Sequence, residues 1–261
     1  MRMRILIATV LTLAFWLVSA CSPQVREDQQ APGGDSSAEM SPAQELVARS
    51  IAYHDPQGVW QKKSVRLQFT LSMAGDGSER SGEILIDHVH DLFEAELDRA
   101  GHHIYYRVQG QDITVKVDGH EDIDPEVRRQ LGLDREGGLA LRNYYTFLYE
   151  LPSNLEMPGT HIHPEVKETE FAGRPALEIT VTYDPEVGSD EWHLYFEPET
   201  AALIGSRFQH GDDPSSGEYI IYSGEVHADG LRLPKSSEWH MTSDDRLLGT
   251  DTVESIEVEE N

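Results

Sequence analysis

Ser64–Met73 reads SVRLQFTLSM. Val65, Leu67, Phe69, Leu71 and Met73 alternate with Arg66, Gln68, Thr70 and Ser72. Successive strand residues point to opposite faces, so strict alternation describes a strand with one apolar face and one wet face. Gly75-Asp76-Gly77 then turns the chain. The pattern recurs at Ile84 and Ile86, at Phe93, Ala95 and Leu97, at Ile104, Tyr106 and Val108, and at Ile113, Val115 and Val117. The connections near Arg99-Ala100-Gly101 and Gly110-Gln111 are too short for a crossover, which makes these strands antiparallel neighbours. A second run follows, with Leu177, Ile179, Val181 and Tyr183 in one strand and Trp192, Leu194 and Phe196 in the next. Further strands are expected around Ile204 to Gln209, Glu218 to Val226, Leu233 to Met241 and Thr250 to Val258, with a hairpin at Asp229-Gly230.

Two segments interrupt this pattern, Asp124 to Gly132 and Leu139 to Leu151. In the second, Leu141, Tyr144, Tyr145 and Leu148 share one helical face, and Pro152 ends it. Upstream, Ser41-Pro42-Ala43-Gln44 is a capping box with proline at the first helical position, and Pro56 disfavours helix at Asp55. The expected fold is mainly β (α+β): a curved antiparallel sheet or incomplete β-barrel of about ten or eleven strands. An N-terminal helix precedes it, one or two helices pack on the concave face, and residues 41–261 form a single domain. Such a face must be filled by side chains, by helices or by a ligand.

At the amino terminus, Arg2 and Arg4 precede a mainly apolar run from Ile5 to Val18, shorter than the roughly 20 residues that cross a bilayer. Val18-Ser19-Ala20-Cys21 follows, and Cys21 is the only cysteine, so no disulfide accounts for it. The stretch resembles a bacterial lipobox. That resemblance implies a signal peptide over residues 1–20, a diacylglycerol thioether on Cys21, and usually a further acyl chain such as palmitate on the new amino terminus. At about 0.8 kcal/mol per buried CH₂, two or three chains make a stable anchor. Ser22 to Met40 is polar, lacks periodicity and reads as a tether with a reach of roughly 25 Å. Ser22, where an Asp would signal inner-membrane retention in lipoprotein-sorting systems, implies the outer membrane, facing the periplasm.

The chain carries a formal net charge of −26, and loss of Arg2 and Arg4 with the leader makes it more acidic still. Lysine occurs only at 62, 63, 116, 167 and 235. Such a field repels nucleic acid and anionic headgroups, so no nucleic-acid partner is expected and membrane contact falls to the N-terminal lipid. The chain is expected to be a monomer.

Tyr53-His54-Asp55-Pro56 with Trp60, Asn143-Tyr144-Tyr145-Thr146-Phe147 running into Leu151-Pro152, and Met157-Pro158-Gly159-Thr160 resemble an uncharacterised lipoprotein family of Bacteroidota-type bacteria, domain of unknown function 6503. The strand order, and Trp192 to Phe196 followed by Glu197-Pro198-Glu199-Thr200, are similar to the lipoprotein carriers LolA and LolB. There a strand enters an Asp-Pro-x-Thr-Gly turn; here Glu197 replaces the Asp and Ala201 the Gly. The LolA resemblance implies an incomplete barrel closed by helices over an apolar cavity for acyl chains.

Candidate chemistry is sparse. His88 and His90, and His161 and His163, would each share a strand face, but neither pair has a third ligand at a diagnostic spacing, and surface or turn histidines are the plainer reading. His54-Asp55 beside Trp60 has the types for acid–base work near neutral pH, although a helix ended by Asp-Pro over a packed tryptophan explains the same residues. With no nucleophile elbow, metalloprotease helix or phosphate loop, the sequence points to no enzyme, catalytic residue, cofactor or metal ion. Tyr144, Tyr145, Phe147 and Tyr149 are more aromatics than one helical face needs. Tyr144, Phe147 and Leu148, with Trp60, are therefore expected to line a space for a lipid, acyl chain or other hydrophobic small molecule, and Pro152 to Thr160 to form its rim or lid. The alternative is a filled-core scaffold or protein-interaction module of the cell envelope.

Overall fold

A computed structural model describes residues 40–260, apart from 186 and 212. The signal peptide, Cys21 and most of the expected tether lie outside the described residues. The chain runs through α1 (Pro42–His54), β1 (Ser64–Met73), β2 (Glu79–Asp87), β3 (Leu92–Arg99), β4 (His102–Gln109) and β5 (Asp112–Val117). Then come α2 (Pro125–Leu131), α3 (Arg135–Glu150) and a short 3-10 helix, Ser153–Glu156. The second run is β6 (Thr160–Ile162), β7 (Lys167–Phe171), β8 (Arg174–Tyr183), β9 (Glu191–Phe196), β10 (Leu203–Gln209), β11 (Glu218–Ala228), β12 (Leu231–Met241) and β13 (Leu247–Glu259).

All described pairings are antiparallel, in one sheet of thirteen strands ordered β5-β4-β3-β2-β1-β13-β12-β11-β10-β9-β8-β6, with β7 paired to β8. The last strand lies against the first, Val65 opposite Val258, which joins the two runs into one curled surface. β5 and β6 remain unjoined edges, so the barrel is incomplete. The strand count exceeds the expectation because of β6 and β7. Both are short, and in Lys-Glu-Thr-Glu-Phe only Phe171 is apolar, so alternation could not reveal them.

Register keeps the apolar face continuous. Phe69 faces Gly82 and Val253, Leu67 faces Ile84, and Ile84 faces Ala95. On the far side Leu194 faces Ile179 and Ser206, and Ile220 faces Trp239. These inward residues and the helices make the main core, in which Trp60, Phe93, Phe196 and Leu67 are fully buried.

The helices begin where the sequence places caps. Ser41 accepts from the Gln44 N–H while the Gln44 side chain accepts from the Ser41 N–H, completing the capping box of α1. Asp124 caps α2, and Asp134 caps α3 through the Gly137 N–H at 2.7 Å. α3 therefore starts four residues before the expected Leu139. Gly137 and Gly138 argue against helix by propensity, yet Gly138 lets α3 approach the sheet, since a Cβ there would stand 3.0 Å from Ile113 Cγ2.

A smaller cluster sits on the convex side, where the β7–β8 hairpin folds Phe171 over the sheet and stacks it on Tyr195 at 4.1 Å. Gly205 makes room for that ring: a Cβ there would meet Phe171 Cε1 at 2.1 Å and the Ile220 carbonyl at 2.7 Å. Gly205→Ala is expected to cost about 1 to 3 kcal/mol by overpacking. Chemical denaturation would check it, and a neutral result would mean that β7 does not pack there.

Candidate ligand site

Five hairpin loops gather at one end of the sheet: β1 ends there and β2 begins, as do β3 and β4, β8 and β9, β10 and β11, and β12 and β13. Side chains near these strand ends that face inward are Trp192, Phe208, Glu218, Trp239, Met241 and Met73, by register with their neighbours. All six are only half-buried, in contrast to the sealed residues deeper along the same strands.

α3 crosses this concave face. Tyr145 packs on Phe69 and Phe93, with ring centroids 5.2 and 6.4 Å apart, and stacks on Tyr149 at 6.0 Å. Toward the loop end, Tyr144 stacks on Trp239 at 6.4 Å, and Phe147 meets Trp192 at 4.7 Å and Tyr183 at 5.9 Å. Trp192 continues to Phe208 at 4.9 Å. The helix fills the middle of the face and leaves an aromatic mouth at its end. Tyr144 is 39% exposed, yet burial holds its hydroxyl well above the ordinary tyrosine pKa.

Two carboxyl groups belong to this region. Asp251, in the β13 row opposite Ser237 and Leu71, is buried, and the Tyr149 hydroxyl donates to its two oxygens at 3.0 and 3.2 Å. Burial pushes Asp251 up to about 6, against the pull of the Tyr149 hydrogen bond. Glu218 is pushed by burial up to about 7, opposed by the charge of His210.

The structure brings together Tyr144 and Phe147, and buries Leu148 beside them in the core. Trp60 is not with them. It is 2% exposed in the turn before β1, whereas the mouth lies where β1 ends. The expected rim from Pro152 to Thr160 is pinned: Leu155 is buried, and the Asn154 side chain donates to the Phe147 carbonyl at 2.8 Å. Trp192, Phe208, Trp239 and Glu218 were legible only as strand residues. Inward alternation marks them, but not which end of each strand a helix leaves uncovered.

The histidines occupy separate places. His88 and His90 lie in the β2–β3 turn, where His88 Nε2 donates to Glu150 at 2.6 Å and His90 Nδ1 to Asp87 at 2.7 Å. The Glu150 carboxylate raises the His88 pKa. His161 pairs with Asp184 at 2.6 Å, and His163 lies 3.4 Å from the Thr182 hydroxyl. Among the described residues, no three His, Cys, Asp or Glu are arranged to hold a metal ion. His54 Nδ1 donates to the Arg232 carbonyl and Nε2 accepts from the Leu203 N–H, both at 2.9 Å, which fixes a neutral tautomer. Burial lowers its pKa. Asp55 accepts from the Val59 and Trp60 N–H groups at 2.7 and 3.2 Å. Both side chains are spent on backbone groups.

A separate cleft of about 330 Å³ lies by β5, lined by Ile113, Val115, Arg128, Leu133, Asp134 and others. No described helix is long and apolar enough to cross a membrane.

Among curated proteins, none matches this sequence significantly. A LolA superfamily protein from Nitrosomonas europaea is similar in structure over 85% of this chain and 96% of its own, with 10% identity and a TM-score of 0.54. A DUF1329 family protein from Desulfovibrio piger covers 83% and 93%, at 10% identity and TM-score 0.47. A putative outer membrane lipoprotein-sorting protein domain from Vibrio parahaemolyticus covers 83% and 90%, at 9% identity and TM-score 0.46. The open, helix-filled sheet is thus LolA-like in fold, and in sequence the chain belongs, over residues 35–258, to the family of unknown function DUF6503.

Proposed function

We propose that this protein is a lipoprotein of the bacterial envelope, anchored through Cys21 at the outer membrane, that binds a lipid or other hydrophobic ligand without catalysis. The observation that carries the reading is the aromatic cluster at the loop end: Tyr144 over Trp239, and Phe147 against Trp192, are only partly buried there. Binding sites for small hydrophobic molecules are mainly apolar recesses with a few convergent polar groups, and Glu218 and Tyr144 supply those groups. Gentle purification followed by native mass spectrometry should show a copurified acyl-bearing molecule. A protein that is always bare, and takes up no apolar probe, would instead favour the envelope scaffold, a reading supported by how fully Tyr145 and Tyr149 fill the middle of the face.

Anchoring has its own test. Cys21→Ser should release the protein from membranes or leave it unprocessed, and radiolabelled fatty acid should enter only the wild type. Label in neither form would remove the lipobox reading.

A further inference from the structure

The mouth is short of positive charge. Glu218 faces inward between Phe208 and Met241 at the start of β11, and no described basic side chain is bonded to it. Asp251 lies in the neighbouring region beneath α3, where the Tyr149 hydroxyl donates to it. Arg80 faces inward on β2, beside Leu71, two strands from Asp251 and four from Glu218. At about 4.8 Å per strand it is roughly 10 Å from the first and roughly 19 Å from the second. Asp76, Asp190, Asp213 and Asp244 lie in four of the five hairpins at this end, where Asp190 pairs with His210 at 2.8 Å and Asp244 with Arg246 at 3.6 Å.

Resting on the hydrophobic-ligand reading above, we propose that the mouth selects a cationic amphiphile. Its amine or quaternary ammonium head lies between the Tyr144–Trp239 pair and the Glu218 carboxylate, and its apolar chain runs along Phe147, Trp192 and Phe208. Aromatic faces carry negative potential and attract alkylammonium groups, most strongly where water is partly excluded. A half-buried carboxylate without an ionic partner costs desolvation that a bound cation offsets. An anionic fatty acid would set like charges together inside the same recess, at a cost rather than a gain.

Proton linkage gives the proposal a signature. Burial holds Glu218 near 7 and Asp251 near 6, and a bound cation favours the ionised form of each. Binding therefore releases protons and strengthens as pH rises through that range. The other groups near these carboxyls are His210 in the β10–β11 loop, itself 2.8 Å from Asp190, Arg80 on β2, Arg99 on β3, and the hydroxyls of Tyr144, Tyr145, Tyr149 and Tyr222. The tyrosines stay neutral in this range.

The test uses the full chain, made without its lipid as Cys21→Ser, and titrates it by calorimetry with monomeric dodecyltrimethylammonium, dodecanoate and dodecanol. At about pH 8 the ammonium should bind at least about tenfold tighter than dodecanoate, a difference of about 1.4 kcal/mol. That preference should shrink toward about pH 5, and Glu218→Gln should remove most of it and flatten the pH dependence. Loss of preference in wild type at low pH carries the same information if the variant is poorly folded. Equal binding of all three probes, or tighter dodecanoate, overturns the cationic ligand and leaves the hydrophobic site standing. No binding of any probe overturns both.

Discussion

Trp60→Ala is expected to lower folding stability by about 3 to 5 kcal/mol, the usual cost of emptying a buried aromatic site. The ring is 2% exposed in the main core, and the turn that carries it is tied down by Asp55, itself buried, through two backbone N–H groups. Partial collapse of the site is hindered because α1 cannot move freely: His54 bonds it to the backbone of both β10 and β12. Urea denaturation gives the measurement. The same variant, where still folded, should bind an apolar probe within about twofold of wild type. Trp60 precedes β1 and the mouth lies at its far end, a strand of ten residues away, or roughly 33 Å. A stability loss under about 1 kcal/mol would show that Trp60 is not the core residue described. A large affinity loss without unfolding would instead place Trp60 in the ligand site.

Asp251→Asn is expected to gain stability relative to wild type as pH rises, by up to about 3 kcal/mol between about pH 4 and pH 7. The sign follows from the direction of the shift. The folded-state pKa of Asp251, about 6, is raised above its ordinary value of 3.8. Its favourable contribution is therefore fully present below the unfolded value and is lost as pH rises through about 6. Asparagine cannot ionise, so the variant does not incur that loss, although it accepts a weaker hydrogen bond from the Tyr149 hydroxyl. Comparing the two proteins at each pH cancels other groups such as Glu83, whose carboxyl is held low by Gln68 and Arg66 and whose contribution runs the opposite way. A stability difference that does not change with pH would mean that Asp251 is ionised well below 6 in the fold, as a solvated or paired carboxylate would be. Asp251 lies opposite Ser237 and Leu71 beneath α3, so such a result would also weaken the charge argument for the mouth.

The strands most legible in the sequence are those with long alternating runs. β1, β4 and β8 appear nearly as expected because each has one face sealed in the core and one in water, which is the condition that writes a period of two into a sequence. β6 and β7 were missed for the opposite reason. β6 is three residues long and β7 forms a side hairpin that buries a single ring, so neither needs an apolar row. The start of α3 was misplaced because Gly137 and Gly138 oppose helix in isolation, while the approach to Ile113 requires a residue without a side chain. A surplus of aromatics on one helix is what singled out Tyr144 and Phe147, which meet Trp239 and Trp192 at the loop end of the sheet. Trp60 is equally aromatic, and nothing local separates a tryptophan that seals a core from one that lines an opening.

By itself, the sequence determined the mainly β, antiparallel character of the chain, the capped helices between its strand runs, and the strong acidity. Each of these is a local property, carried by the period of apolar residues, by caps and turns, or by composition. Only the tertiary structure decided that β13 closes against β1, that α3 lies across the resulting concave face, and which aromatic rings that helix meets there. Those outcomes depend on contacts between residues far apart in the chain. Tyr144 meets Trp239 and Tyr149 meets Asp251, and whether an inward side chain is core or site depends on how far one helix reaches along the sheet.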